Sequence, residues 1–573
     1  MIWLSLSAFA LAALAASPST VSCTSSTVSS PDGIAGGAYD YVGGGGGLAG
    51  LVLAARLSED PATTVLVVEA GADAHDDSAV YNPYEFGVAL GACWTGTFLR
   101  SAGARSMRKR WGCARCLFGA YMCGGGKTLS GSSSINGATW TRGAVAQYYA
   151  WSTLLEPSEA HVRWNWESML SCMNKSETFM PPTLEQIVKG AESIPSVHWS
   201  SGPVQAAFSH GTYGGRQQPA FVASAVNASG ISLEYNNSDR RSSSAEAYLT
   251  PVESSRTNWV TLTQYLFTKI LWQILSTIPL TATGVGFVSF TEKTNGTTPY
   301  IAYARKEVIV AAGAIRTNNL MGAGGTGFAF DGTGPNNAIA FLDLYQLFGE
   351  RSDAKAAAQA PYGHSAAALE TIFRAQADVI VKHKGTDVIW QQLPFSRGQV
   401  KIVSADPFEY PNVFVNYFNV SFDLDIQVAG AQLVRKIYTT PPLRSLSTGE
   451  TIPGSLIPQN ATDADWQAWV LANFGSAGHP IGTAAIMRRS LGDMECIGVV
   501  DAYLRVYDTR NVRVVDASVL PTQVSAHLSS TVYELIMLNL STNMATRQLL
   551  EFLPVNLQFS IPPRLVKYVN FKK

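Results

Sequence analysis

Residues 43–47 are five consecutive glycines, and what flanks them limits the fold more than any other feature of the chain. Tyr39-Asp40-Tyr41-Val42 stands before the run; LVLAARL (Leu51–Leu57) and VLVVEAG (Val65–Gly71) follow it. A glycine run alone would be a flexible linker. Set between a strand-like and a helix-like apolar segment, it becomes the turn of a β-α-β unit, and the stretch from Asp40 to Gly71 has the length such a unit needs. One register satisfies G-x-G-x-x-G: Gly45, Gly47 and Gly50. The first glycine allows a tight turn, the second lets backbone approach a pyrophosphate, and the third packs helix on strand. The pyrophosphate then meets the helix N-terminus, where free N–H groups and the dipole favour an anion. Glu69, 19 residues after Gly50, ends the second strand and is placed to accept hydrogen bonds from a ribose diol. A carboxylate there disfavours a 2′-phosphate, so the pattern predicts FAD or NAD rather than NADP.

The rest of the 573 residues fits a large enzyme. Hydrophobic residues make up 46% and charged residues 14%, which excludes disorder driven by charge. A formal net charge of −1 with no basic block argues against a nucleic-acid binder. Met1 to Ala16 is apolar, and Ala13-Leu14-Ala15 offers a cleavage site, so this segment reads as a secretory signal peptide; the alternative is an uncleaved interfacial helix. No later segment reads as a membrane span. Asn174, Asn227, Asn236, Asn295, Asn419, Asn460 and Asn539 each open an N-x-S/T sequon, a glycosylation candidate in a secreted chain. Of seven cysteines, Cys113, Cys116 and Cys123 have a spacing open to zinc or redox chemistry. No histidine lies near enough to complete a usual zinc set, so no metal is expected, and a disulfide or plain buried thiols are the better reading in an oxidising compartment.

Downstream, Gly124–Gly143 is a second Gly/Ser-rich stretch, Glu307–Ala312 (EVIVAA) reads as a buried strand, and the last strongly patterned block runs from His479 to Tyr533. The eight histidines form no H-x-x-x-H, and no G-x-S-x-G is present, so a helix-borne zinc pair and a hydrolase elbow find no support.

Five ordered blocks together resemble the glucose–methanol–choline (GMC) oxidoreductases, FAD-dependent alcohol oxidases and dehydrogenases. YDYVGGGGGLAGLVLAARLSED resembles the family's FAD fingerprint, and GKTLSGSSSINGATWTRG (Gly126–Gly143) its first signature. ARKEVIVAAGAI (Ala304–Ile315) resembles the start of the second signature, and SRGQVKIVSADPFEYPNVFVNYF (Ser396–Phe418) the substrate region. GHPIGTAA and GVVDAYLRVYDTRNVRVVDASVLPTQVSAH resemble the catalytic end. The wording is nearest to fungal members that act on secondary metabolites.

The resemblance implies an α/β (α+β) fold: a Rossmann-like FAD-binding domain interwoven with a substrate-binding domain built on an antiparallel sheet. After a signal peptide (1–16) and a flexible leader (17–37), the FAD-binding domain takes 38–155, 225–325 and 475–545. The substrate domain takes 156–224 and 326–474, and a divergent tail runs over 546–573. FAD is held by Gly45, Gly47, Gly50 and Glu69, by Ser132, Asn136 and Gly137 of the first signature, and by Asp516 and Ala517 of VVDAS. His479 and His527 match the active-site pair. By analogy His479 takes the proton of an alcohol while hydride leaves for flavin N5, and His527 hydrogen-bonds the substrate oxygen; an imidazole can do this near neutral pH. The implied partners are a small alcohol and oxygen or a quinone as electron acceptor. A non-redox, cyclase-like homologue and an FAD-free secreted one are the alternatives.

Four departures from the family pattern carry expectations. Gly43 and Gly44 replace apolar strand residues, which predicts a weakened first strand, since glycine in a strand costs about 0.5–1 kcal/mol. Ser130 replaces the first glycine of the LGGSS motif, and is strained if that position needs φ > 0. Thr317-Asn318 stands where Ser-Pro is usual, and several tens of residues of the family pattern are missing after Met321. The run following Tyr533 is unusually apolar. Aromatics such as Trp390, Phe395, Tyr417 and Phe418 read as core rather than as substrate contacts.

Overall fold

The computed structural model describes residues 27–82, 95–96, 125–188, 193, 195–208, 220–221, 223–224, 227–228, 241–273, 278–291, 299–317, 372–379, 394–401, 406–415, 417–474, 478–489 and 498–542. The signal-peptide segment, the missing-segment region, the tail, Trp390, Asn236, Asn295, the Asn539 side chain and every cysteine except Cys172 lie outside them.

One sheet organises the described residues. Its strands are β1 (Thr27–Val28), β2 (Ala38–Gly44), β3 (Val65–Val68), β4 (Trp259–Leu262), β5 (Tyr265–Trp272), β6 (Ala282–Ser289), β7 (Tyr300–Val310) and β8 (Val512–Val514). The order is β1-β4-β3-β2-β7-β6-β5, and β8 pairs with the C-terminal end of β7. The pairs from β1 through β7, and β7 with β8, are parallel; β6 and β5 add on antiparallel. Every residue of β3 and β4 is buried, as the unbroken apolar runs VLVV and WVTL require of strands covered on both faces. The Ala/Leu-rich helix α1 (Leu48–Leu57) crosses between β2 and β3, buried at eight of its ten residues. Helices α2 (Val145–Ser152) and α3 (Trp166–Ser176) follow the first signature.

Beyond the sheet, α4 (Ser421–Thr439) and α5 (Asp463–Asn473) pack together, with Val428 and Ile457 against Trp466 and Val470. The described part of this half contributes one antiparallel pair, Gln399–Lys401 with Asn412–Phe414. Phe395 packs on Phe422 and Ile426, and Tyr417 and Phe418 pack edge-on against Phe474, so these aromatics fill a core as expected.

Three expectations change. The leader is not free through Gly37: β1 pairs with β4, and Ile34 is wholly buried in the main core, so residues 27–37 are tied down. The glycines of β2 do not leave a hole. A Cβ on Gly44 would lie 1.8 Å from Cδ1 of Phe267, whose ring fills the space a side chain would take. The described part of the apolar run after Tyr533 lies in a core helix, α6 (Ser529–Thr542), which buries Val532, Tyr533, Leu535, Ile536, Met537 and Leu538, packed with α1 and α3. Glu534, on the same helix, is fully buried; that burial raises its carboxyl well above the ordinary range, and Ser176 Oγ donates to it at 3.0 Å.

Among the sequon asparagines, Asn227, Asn419 and Asn460 are exposed, whereas Asn174 sits on α3 with its Oδ1 buried. No helix of the described residues is long and apolar enough to cross a membrane, and no described group of side chains could hold a metal ion.

Candidate active site

The glycine loop has the geometry its spacing predicts. Gly45 has φ +110°, and a Cβ there would lie 2.3 Å from the Ala311 carbonyl oxygen. Gly50 lies so close to Gly45 that its Cβ would meet that residue's oxygen at 1.9 Å, which is the tight helix–strand packing the third glycine serves. Gly47, the N-cap of α1, has no neighbour to a Cβ closer than Gly131 Cα at 3.9 Å. The loop thus leaves bare backbone at the helix N-terminus, the feature a pyrophosphate needs.

Glu69 follows β3 directly and is buried. Its Oε2 accepts from the Gly46 N–H and its Oε1 from the Gly71 N–H, both at 2.7 Å. Burial pushes its carboxyl up to about 7, against the pull of those two N–H groups and Lys127. Each oxygen keeps a second lone pair for a ribose hydroxyl.

The first signature lies on this loop. Ser130 N–H donates to the Gly46 carbonyl at 2.8 Å, and Gly47 bridges to Ser130. Ser130 has φ +73°, so the left-handed conformation is required and a serine bears its strain. The hydroxyl offsets part of that cost: it donates to Ser243 Oγ at 3.2 Å and accepts from the Ala245 N–H. Ser132 is exposed, its Oγ accepting from the Gly126 N–H at 3.2 Å, and Gly137 is exposed beside it. Asn136 folds its Oδ1 back onto the Ala138 N–H at 2.9 Å and donates from Nδ2 to Ser529 Oγ at 3.2 Å, tying the signature to α6.

Asp516 is buried where three segments meet. Its Oδ2 accepts from the Gly313 N–H at 2.8 Å and from Thr317 Oγ1 at 2.6 Å; its Oδ1 caps the turn Ala517–Val519 through the Ser518 N–H at 2.8 Å. Burial raises its carboxyl above the usual range. Thr317, read as a departure, therefore holds the second signature to Asp516, and Ala517 lies half-buried at the start of the capped turn.

The two histidines come together from segments 48 residues apart in sequence. Their ring centroids are 5.2 Å apart and the rings meet edge to face at 86°. Thr483 Oγ1 donates to the Ala314 carbonyl, while Ala484 and Ile486 N–H groups donate to the Ser518 and Val519 carbonyls, bringing the His479 segment to the VVDAS turn. On the other side, the His527 N–H donates to Thr141 Oγ1 at 2.9 Å, and Gln147 Oε1 accepts from the Ser525 N–H at 2.7 Å. Burial lowers both imidazoles: His479 to about 3, with His527 adding to the effect, and His527 to about 4. Both are neutral at neutral pH. His479 Nδ1 is buried and has no hydrogen-bond partner among the described residues, so one ring nitrogen is left uncommitted.

The expected site residues thus form one connected region. Sequence reading passed over Thr141, Gln147, Arg241, Ser243 and Ser244, and took Thr317 only as a departure from the family pattern. The signal available was the run RSSSA (Arg241–Ala245), three hydroxyls in a row after an arginine.

The chain matches the N-terminal GMC oxidoreductase domain over residues 39–337 and the C-terminal one over 394–535. It is 31% identical to the GMC oxidoreductase family protein Mala s 12 of Malassezia sympodialis, covering 87% of this chain and 91% of that one. It is 30% identical to the glucose oxidase-like protein fsoC of Humicola fuscoatra (86% and 93%) and 28% identical to a glucose oxidase of Penicillium chrysogenum (88% and 92%). An FAD-dependent oxidoreductase from Chaetomium thermophilum shares its fold with TM-score 0.73 at 22% identity (87% of this chain, 98% of that one), and a fungal aryl-alcohol oxidase with TM-score 0.68 at 20% (87% and 97%).

Proposed function

This chain belongs to the GMC oxidoreductases, FAD-dependent enzymes acting on CH–OH groups, and on that footing we propose that it oxidises an alcohol to a carbonyl with His479 as the base. FAD, when bound, supplies the acceptor for the carbinol hydride at N5. The glycine loop and α1 N-terminus would hold its pyrophosphate and Glu69 its ribose, with Asn136, Gly137, Ser132, Asp516 and Ala517 along the rest of the cofactor. His479 takes the hydroxyl proton; His527 donates a hydrogen bond to the same oxygen and fixes its direction. Two neutral imidazoles suit this division: one must accept a proton, and a neighbouring imidazolium would oppose that.

The observation that carries the reading is the buried, unpartnered His479 Nδ1 beside the second imidazole. The His479→Ala variant tests it. General-base removal costs roughly 10²–10⁴ in rate, so kcat should fall by at least 10² while the flavin stays bound. Undiminished turnover would remove His479 from the role.

The wording of the later sequence blocks supports a fungal secondary-metabolite alcohol as substrate, and the apolar Met1–Ala16 segment with the sequons supports a secreted, glycosylated enzyme; the acceptor is oxygen or a quinone. Anaerobic bleaching of the flavin by substrate separates this redox reading from the cyclase-like one.

A further inference from the structure

Arg241 is a buried cation, 4% exposed, with no carboxylate partner among the described residues. Its Nε donates to the Val80 carbonyl at 2.7 Å, and one Nη to the Ser133 carbonyl at 3.1 Å and to Asn136 Oδ1. The other Nη donates to the Asn136 carbonyl at 2.6 Å. Three acceptors from residues 133–136 therefore converge on one guanidinium. Burying a charge without an opposite one is costly, and burial alone draws this group down to about 10, still a cation at neutral pH. A lysine could not reach the same set, because the guanidinium presents its donors in a fixed planar fork.

What the fork holds is a segment whose own hydrogen bonds are those of short turns, such as Asn136 N–H to the Ser132 carbonyl at 3.1 Å. Residues 131–134 make a single 3-10 turn and Ala138 has φ +55°, so there is no regular helix or strand to fix Asn136. Asn136 in turn donates to Ser529, two residues past His527. The Ser243 and Ser244 hydroxyls, two and three residues after Arg241, bond to Ser130 and Ser133 of the same signature.

We propose that Arg241 is a positioning residue: it fixes Asn136 in the orientation that joins the cofactor-holding first signature to the His527 segment. This rests on the FAD reading given above. Arg241 need not touch cofactor or substrate; it acts through Asn136.

A double-mutant cycle with Arg241→Lys and Asn136→Ala tests it on apo-protein reconstituted with FAD. The readouts are FAD affinity by flavin fluorescence, the visible circular dichroism of bound flavin, and the thermal midpoint. A charged hydrogen-bond network of this kind is worth about tenfold or more in affinity. R241K should weaken FAD binding about tenfold and change the flavin dichroism. N136A should do the same, and the double variant should be no worse than either alone. Parent-like affinity and dichroism in R241K, or losses that multiply in the double variant, overturn the proposal. If R241K does not fold, N136A and Ser529→Ala decide: both must weaken FAD binding and alter the dichroism, and parent-like behaviour in either makes Arg241 structural only. A parent protein that binds no FAD sinks the FAD reading and this inference with it, whereas additive losses sink only the inference.

Discussion

Gly43 and Gly44 are neighbours in one strand, yet the structure predicts opposite outcomes for the same substitution. A Cβ at Gly43 would meet the Leu66 oxygen at 3.7 Å and a Val67 methyl at 3.8 Å, ordinary van der Waals contacts. Gly43→Ala also removes the glycine's excess backbone freedom in the unfolded chain, so it should be neutral or stabilise by about 0.5–1 kcal/mol. At Gly44 the Cβ would lie 1.8, 2.4 and 2.9 Å from three atoms of the Phe267 ring. That ring is 3% exposed and belongs to the main core. Overpacking of a filled core costs about 1–3 kcal/mol, and an overlap this deep belongs at or beyond the upper end of that range. Phe267→Ala alone should cost about 3–5 kcal/mol through the cavity it leaves. In the double variant the Gly44 methyl enters that cavity, so the combined loss should be smaller than the sum by at least about 1 kcal/mol. Denaturant midpoints of the four proteins, read by tryptophan fluorescence, give the order. A parent-like midpoint for Gly44→Ala, or strict additivity with Phe267→Ala, would refute the argument that Phe267 occupies the missing side chain's place.

Further expectations follow from the site. At Ser130, alanine should destabilise more than glycine, because alanine keeps the strain at φ +73° and loses both hydroxyl bonds, whereas glycine loses the bonds but relieves the strain; the gap in thermal unfolding should correspond to about 1 kcal/mol, and a more stable S130A would contradict it. The base is already deprotonated over the physiological range, because burial lowers His479 to about 3 and His527 to about 4. Hence kcat/KM should stay level from pH 8 down to about 5 and fall only below; a half-maximal point near 6.5 would show that at least one imidazole titrates as if exposed. The same depressed values link to stability: the unfolded chain binds these protons from about pH 6.5 downward, the folded one does not, so the protein loses stability as pH falls through that window. His527→Gln should flatten this loss, measured as thermal midpoint against pH. Glu69→Gln keeps the shape at the glycine loop but turns one acceptor oxygen into a donor facing the Gly46 or Gly71 N–H, so FAD affinity should drop by about tenfold or more, read by flavin release in dialysis.

Where the local pattern alone decides structure, the sequence was legible. The β-α-β unit is an example: strand, glycine turn, Ala/Leu helix and VLVV agree with one another, and Gly45, Gly47 and Gly50 each have the conformation or clearance that the spacing implies. The histidine pair was legible only through the resemblance, since nothing in periodicity brings residue 479 to residue 527. Long-range complementarity was invisible. Phe267 fills the space over Gly44 across some 220 residues of chain, so a glycine that read as a defect is half of a matched pair, while its neighbour Gly43 has no such partner. Thr317 read as a lost motif position because its partner, Asp516, lies about 200 residues away. Arg241 was marked only by the hydroxyl run that follows it; its meaning appears when the Ser133 and Asn136 carbonyls are seen around it. The stretch after Tyr533 looked unusual for its apolar content, whereas α6 buries every residue from Ser530 to Leu538.

The most direct measurement is the anaerobic visible spectrum of the purified protein before and after an alcohol panel that includes aryl-CH₂OH compounds and glucose, run in parallel on His479→Ala. A protein-bound oxidised flavin band is expected in both proteins, bleached by at least one alcohol in the parent and at least 10²-fold more slowly in the variant. A flavin that bleaches equally fast in both would contradict the assignment of the base, and a folded parent that holds no flavin would contradict the account as a whole.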